Sequence, residues 1–547
     1  MKSFGRSLKG SGRHKYLIVV EKLTGHFGNS SRRMKENGAE NRVWGAAVKY
    51  AGLTLKNLDV LLSSRVTHVA VVAAGVIFRA IQYLYNRSLW FDEAVVANKI
   101  GDYSLLELIN GADASKSLAY PPGFLAAEKM MMLLFGGSEY ALRFIPACLG
   151  ILSVILFYFV IENILSVKAR FAALCLFASS SSLILYSAEA KPYSGDIAWT
   201  LLLLLAVQKI LRKDFSARAM VLLGVLGIVL PWFSYPAIFT LAGVWLTLAA
   251  MKVFERKRGE LGRVIVSALW GLVSFGVNYS LIIRTFRGQT FLGEYWSKFF
   301  LPVFPVSAQN LIFHYTIFQD VFRYCLHLRF PFISSLLFLA GCREMFLRKR
   351  EDFFLLMGPV GVTLLASVLH VYPFFERLIL FLMPVYVIFI GGGVELLFRA
   401  RPMRKIILIF LLVFVTPAFL SECFRLQDPE IYFFEESRPV VQYIKENRQE
   451  EERVFVFDQA VPPFQYYSKR MNFLQGEALP DAFLTFSRND IKEKMRELPA
   501  GSKVWLFRTH ASPDDNANIL KTMNDMARCL DSFSRKGARV DLFQKIF

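Results

Sequence analysis

Long apolar runs set the pattern of this chain. A helix crossing the bilayer needs ~20 mostly apolar residues. Stretches of that kind fall at about 66–85, 141–163, 169–187, 193–210, 218–233, 235–253, 261–283, 331–347, 353–372, 374–397 and 404–422. These eleven stretches predict a polytopic α-helical membrane protein. Short polar turns separate them except at 86–140 and 284–330, where longer segments leave the pattern. In the first, Tyr120-Pro-Pro-Gly123 followed by Phe124 to Phe135 predicts an amphipathic helix in the membrane surface, with Gly136-Gly137 ending it. The second is rich in aromatics (Tyr295, Trp296, Phe299, Phe300, Phe304), which suit interfacial anchoring and also sugar stacking.

Beyond residue 425 charge rises and apolar runs shorten. Helical patterns at 439–448, 464–467, 489–498 and 514–527 alternate with the short runs Val454-Phe-Val-Phe457, Val504-Trp-Leu-Phe507 and Arg539-Val-Asp-Leu-Phe543. Alternation of that kind predicts a small α/β domain over 425–547 with some parallel sheet. It carries no Gly-rich strand-to-helix turn, so nucleotide binding has no support. Residues 1–65 are polar and basic, with 13 Lys and Arg against 4 Asp and Glu, and read as a poorly ordered cytoplasmic arm. The membrane domain is then 66–424.

Charge refines this picture. A net charge of +20 suggests nucleic acid at first, but its distribution argues otherwise. Basic residues gather in alternate short loops, such as Lys209, Arg212, Lys213 and Arg218, or Arg343, Arg348, Lys349 and Arg350. That is the positive-inside pattern. It places the N-terminus inside, and residues 86–140 and the C-terminal domain outside. No paired spacing among the six cysteines suggests a metal site or a disulfide framework.

Candidate chemistry sits at the outer face. Asp92 and Glu93 follow the first span directly, behind Leu89-Trp90-Phe91. Adjacent helical side chains point about 100° apart, so one can face a cavity while the other supports it. A carboxylate there can act as general base for a hydroxyl, or the pair can be a solvated feature of a polar loop. Ser187-Ala-Glu-Ala-Lys-Pro-Tyr-Ser-Gly-Asp196 brings Glu189, Lys191, Tyr193 and Asp196 to the same edge. Asp196 is either functional or stabilised by a helix N-terminus. Lys191 can meet a lipid phosphate or snorkel to the interface. Arg143 and Arg377 are placed to pair with phosphate, although Arg377 can equally pair with Glu376. Asp92 and Glu93, with or without Asp196, offer oxygen ligands to Mg²⁺ or Mn²⁺, but nothing in the spacing demands a metal.

These motifs, in this order, resemble the GT-C membrane glycosyltransferases, specifically the bacterial relatives of protein O-mannosyltransferases and of the aminoarabinose transferase that modifies lipid A. The resemblance rests on Leu89-Trp-Phe-Asp-Glu-Ala94, Tyr120-Pro-Pro-Gly123, Leu134-Phe-Gly-Gly-Ser-Glu-Tyr-Ala-Leu-Arg143, Glu189-Ala-Lys-Pro-Tyr193, and Glu376-Arg377 with Pro384 downstream. It continues through Arg438-Pro-Val-Val-Gln-Tyr-Ile444 and Val454-Phe-Val-Phe457 to Phe464-Gln-Tyr-Tyr467, covering 66–547. It implies a polyprenyl-phosphate sugar donor, a lipid, glycan or protein acceptor, and transfer at the outer face of the bacterial cytoplasmic membrane. It also implies that Asp92 is the base. Ala94-Val-Val-Ala97 stands where the aminoarabinose transferase has further charged residues, which weakens the case for lipid A as acceptor. A transporter or flippase of lipid-linked sugars, favoured slightly by Arg79 inside the first span, and a lipid-linked glycan polymerase or ligase are the other readings.

Overall fold

The computed structural model describes residues 60, 62–110, 120–213, 215–284, 296–303, 307–399, 419–423, 434–473 and 483–546. The predicted stretch 404–422 and most of the basic arm lie largely outside them, as do Tyr295 and Phe304. The described residues from Arg65 onward form one compact unit, which holds the apolar helices, the segments between the first two spans and the C-terminal sheet.

Among the described residues, seven helices are long and apolar enough to cross a membrane. They are α1 (Arg65–Leu84), Glu139–Glu162, Tyr193–Arg212, Ala237–Phe254, Arg258–Ile283, Arg350–Val368 and Glu376–Arg399. Val167–Ala178 and Ser181–Ala188 meet the same test together but bend by 54°, and counted as one span they make eight. Ala217–Trp232 is apolar but shorter, and Pro331–Arg348 is helical at another predicted position. The protein is thus a multi-pass helical membrane protein with a small C-terminal sheet domain.

The bend explains Arg79. Ser179 turns its hydroxyl back onto the Cys175 carbonyl at 2.7 Å, a bond that competes with helix continuation. The end of the helix leaves carbonyls without intrahelical partners. Arg79 is fully buried and donates to the Ala178 carbonyl at 3.2 Å and to the Phe177 carbonyl at 3.4 Å. A cation at a helix C-terminus is also favoured by the macrodipole. The charge in the first span therefore has a structural use at the break.

The helices Pro331–Arg348 and Met383–Arg399 touch backbone to backbone. A Cβ on Gly341 would collide with the Phe389 carbonyl, and one on Gly393 with the Leu337 carbonyl. Gly361, on Arg350–Val368, has open space around it. We expect Gly341→Ala to lower stability in detergent by about 1–3 kcal/mol, as overpacking does, and Gly361→Ala to leave the unfolding temperature unchanged or slightly raised. Thermal unfolding of the two variants checks this.

Between the first two spans lie α2 (Phe91–Asp102) and α3 (Pro122–Phe135), and α4 (Glu139–Glu162) is the second span. α3 buries Phe124 and Leu125 and leaves Met130, Leu133, Leu134 and Phe135 exposed, as a helix at a membrane surface would. In the segment 284–330, Ala308–Asp320 is helical, and Phe299 stacks near Phe375 at 3.8 Å between ring centroids. These aromatics pack on the turn before Arg377.

The C-terminal sheet has the order β2-β1-β3-β5-β4, with β1 (Arg453–Phe457), β2 (Phe483–Phe486), β3 (Lys503–Thr509), β4 (Ala527–Arg535) and β5 (Ala538–Lys545). β1 is parallel to both β2 and β3, while β5 is antiparallel to β3 and β4. The apolar runs mark β1, β3 and β5, but not β2 and β4. The unmarked two are the sheet edges. β2 is short, and β4 is exposed along almost its whole length, so neither carries an apolar signal. The core of this domain is continuous with that of α2 and α3. Ala97 and Ile100 of α2 and Phe124 and Leu125 of α3 join one buried cluster with Phe464, Tyr467 and the strands.

Candidate active site

The site begins at the turn out of α1. Asn86 adopts a left-handed backbone (φ 45°), the chain runs extended through Trp90, and α2 starts at Phe91. Asp92 and Glu93 therefore occupy its first turn, where the helix dipole favours negative charge. Their side chains diverge, and their surroundings differ completely.

Glu93 is fully buried. Arg143 of α4 grips it in fork geometry, Nε to Oε1 at 2.8 Å and a terminal nitrogen to Oε2 at 2.7 Å. Arg87 donates to Oε2 at 2.9 Å, and the Ala190 amide to Oε1 at 2.8 Å. Arg143 also donates to the Arg87 carbonyl at 2.6 Å and the Ser88 carbonyl at 3.2 Å. One carboxylate thus ties α2, the turn before it, α4 and the loop after the bent span. Burial alone would raise the Glu93 carboxyl, but the two guanidinium groups and the Ala190 amide outweigh it and hold it below the ordinary carboxylate range.

Asp92 faces the other way. It is 13% exposed and pairs with Arg377 at 2.8 Å, the latter 22% exposed. Arg377, not engaged with the neighbouring Glu376 in this pair, lies over the Trp90 ring at 5.5 Å. It is presented by a turn in which Glu376 has φ 26°. Left-handed non-glycine backbone of this kind costs about 1–3 kcal/mol and clusters at functional sites. The Trp90 indole donates to Glu189 at 2.5 Å. Glu189 is buried, and burial together with the Glu93 charge raises its carboxyl above the ordinary range.

Lys191 is buried and donates to the Tyr120 hydroxyl while lying 4.7 Å from the Tyr120 ring centroid. Tyr120 is in electrostatic range of Asp92, Arg377 and Glu189, so these groups share one region. Tyr193 opens the next helix and stacks edge-on against Tyr186 at 5.3 Å. Asp196 is one turn further and interacts with the Ser234 hydroxyl. An apolar cavity of about 240 Å³ runs between α3, α4 and the Tyr193 helix. Phe124, Ile145, Leu149, Trp199 and Phe233 line it, and Lys191 stands on its wall.

Among the described residues no three His, Cys, Asp or Glu side chains converge on a metal position. The oxygens of Glu93 are engaged by Arg87, Arg143 and the Ala190 amide, while Asp92 belongs to a separate pair. Of the eight residues singled out in the sequence, Asp92 and Arg377 come together, as do Glu93 and Arg143, and Glu189, Lys191 and Tyr193 border the same region. Asp196 sits apart in the helix. Trp90, Arg87, Tyr120 and the C-terminal residues Glu435 and His510 were not singled out as site residues. Trp90 and Tyr120 stood inside the quoted motifs, whereas Glu435 reaches α2 across 344 positions, which no local pattern reveals.

No family model matches the sequence, and no curated protein is significantly similar to it. Solved structures are similar in shape. ArnT from Cupriavidus metallidurans bound to undecaprenyl phosphate superposes with a TM-score of 0.52 at 12% identity, covering 88% of this chain and 98% of that one. Its apo form gives 0.50 at 11% identity, over 87% and 97%. This chain has the GT-C fold. The similarity in fold covers 87–88% of this chain.

Removing the Glu93 charge leaves two guanidinium groups buried without their partner. We expect Glu93→Gln to cost about 3–5 kcal/mol, seen as loss of folded protein in detergent. Because folding depresses the Glu93 carboxyl, its contribution is complete above the ordinary carboxylate value of about 4. It is lost only as pH falls below that, through the lower folded value. Acid unfolding of the wild type, set against Glu93→Gln, measures it.

Proposed function

We propose that the protein is a membrane glycosyltransferase that moves a sugar from a polyprenyl-phosphate donor to a hydroxyl acceptor at the outer face of the cytoplasmic membrane. The observation that carries this reading is the placement of a partly exposed carboxylate, Asp92, beside Arg377 and near Lys191, which stands on the wall of an apolar cavity. That combination suits an amphiphile with an anionic head and a hydrocarbon tail. The GT-C fold, and the neighbour solved with undecaprenyl phosphate, support the same donor class.

In this reading the isoprenoid chain enters the cavity beside Phe124 and Leu149, and Lys191 and Arg377 face the phosphate. Asp92 removes the proton of the acceptor hydroxyl as its oxygen attacks the anomeric carbon. The bond from that carbon to the phosphate oxygen breaks, with inversion, and polyprenyl phosphate leaves. Positive groups fixed beside the departing phosphate stabilise charge that grows in the transition state. Glu93 and Arg143 position Asp92 and touch no substrate. The acceptor is a lipid, glycan or protein hydroxyl. The alternating loop charges support an N-terminus inside and a C-terminal domain outside.

The test is transfer of radiolabelled sugar from a panel of polyprenyl-phosphate sugars to membrane extract. We expect Asp92→Asn to fold normally, retain donor binding and lose about 10²–10⁴-fold in rate. Equal transfer by wild type and variant would remove Asp92 from the chemistry. Donor binding without transfer from any member of the panel would favour a transporter.

A further inference from the structure

The first turn of α2 is held from the C-terminal domain by a pair of residues outside the membrane helices. Glu435 accepts the Phe91 amide with one carboxylate oxygen at 2.9 Å, satisfying a donor at the first turn of the helix that carries Asp92. Its other oxygen meets Nδ1 of His510 at 2.5 Å. The His510 ring stacks on Phe91, 4.8 Å between centroids and 17° from parallel, and lies 6.3 Å from the Trp90 ring. It follows β3 directly and holds a left-handed backbone (φ 57°). It is 37% exposed, so it stands at the rim of the site and not in the core.

We infer that His510, acting through Glu435 and Phe91, is a positioning residue supplied by the C-terminal domain that sets the first turn of α2 and hence the aim of Asp92. The inference rests on the proposed role of Asp92 as base. An imidazolium suits this place better than a neutral ring. Glu435 and Asp92 are the carboxylates facing it and Arg377 the opposing cation, with Trp90 and Phe91 as its aromatic contacts. The Glu435 hydrogen bond raises the His510 imidazole above its ordinary value, against burial. The clamp is therefore charged below the raised folded value and weakens as pH rises through it.

Two substitutions separate charge from shape. Asn places an amide nitrogen near the Nδ1 position and tolerates the left-handed backbone, so His510→Asn keeps the bond to Glu435 without a titrating group. Glu435→Gln keeps an oxygen for the Phe91 amide and removes the charge that favours imidazolium. For transfer from a polyprenyl-phosphate sugar, we expect the wild-type rate to fall on the alkaline side, His510→Asn to lack that fall, and Glu435→Gln to move it to lower pH. His510→Ala should lose at least tenfold in kcat with KM for donor unchanged. An unaltered alkaline limb in His510→Asn, or full activity in His510→Ala, overturns the inference. The imidazole titration is followed separately by NMR of histidine-labelled protein in detergent. A His510 value that drops in Glu435→Gln supports the clamp even if the protein transfers none of the donors tried, and an unmoved value overturns it whatever the activity.

Discussion

A single buried carboxylate ties together the elements that carry the candidate site. Glu93 is removed from water and is tolerated only because Arg143, Arg87 and the Ala190 amide use its lone pairs. Such a cluster is a poor source of net stability, since desolvation cancels much of the attraction. Its value is geometric. Breaking it is costly, so it fixes the relation between α2, α4 and the loop after the bent span. Asp92 inherits that geometry through one peptide bond. Its own partner, Arg377, comes from a strained turn on a different helix.

The same division appears in the cations. Arg79 and Arg143 are spent inside the protein, on carbonyls freed by a helix break and on Glu93. Arg377 pairs with Asp92, and Lys191 stands on the wall of the apolar cavity. Buried arginine with five fixed donors suits the first task. A partly exposed guanidinium and an ammonium on the cavity wall would suit the proposed phosphate donor, which must arrive and leave. The C-terminal domain is part of this arrangement, because its core is continuous with that of α2 and α3 and its Glu435 holds the first amide of α2.

Much of this was legible in the chain, and for a physical reason. Spans announce themselves by length and hydropathy, and a helix covered by lipid must satisfy its backbone internally. Hence ten of the apolar stretches coincide with described helices or the bent pair. Adjacent positions on a helix must diverge, so the split between Asp92 and Glu93 could be anticipated without saying which faced the cavity. Partnership could not. Arg143 lies 50 positions from Glu93, and its placement alone suited a phosphate as well as a carboxylate. Edge strands β2 and β4 were silent because they have little to bury. Glu435 and His510 sit in polar segments whose contacts exist only once the C-terminal domain docks.

The most direct test of the account is a structure of the full protein in nanodiscs with a polyprenyl phosphate bound. The phosphate is expected between Lys191 and Arg377, within reach of Asp92, and the first isoprene units in the cavity lined by Phe124, Leu149 and Trp199, with the Glu93 cluster unchanged. A phosphate bound away from both cations, or a lipid chain that leaves that cavity empty, would contradict it.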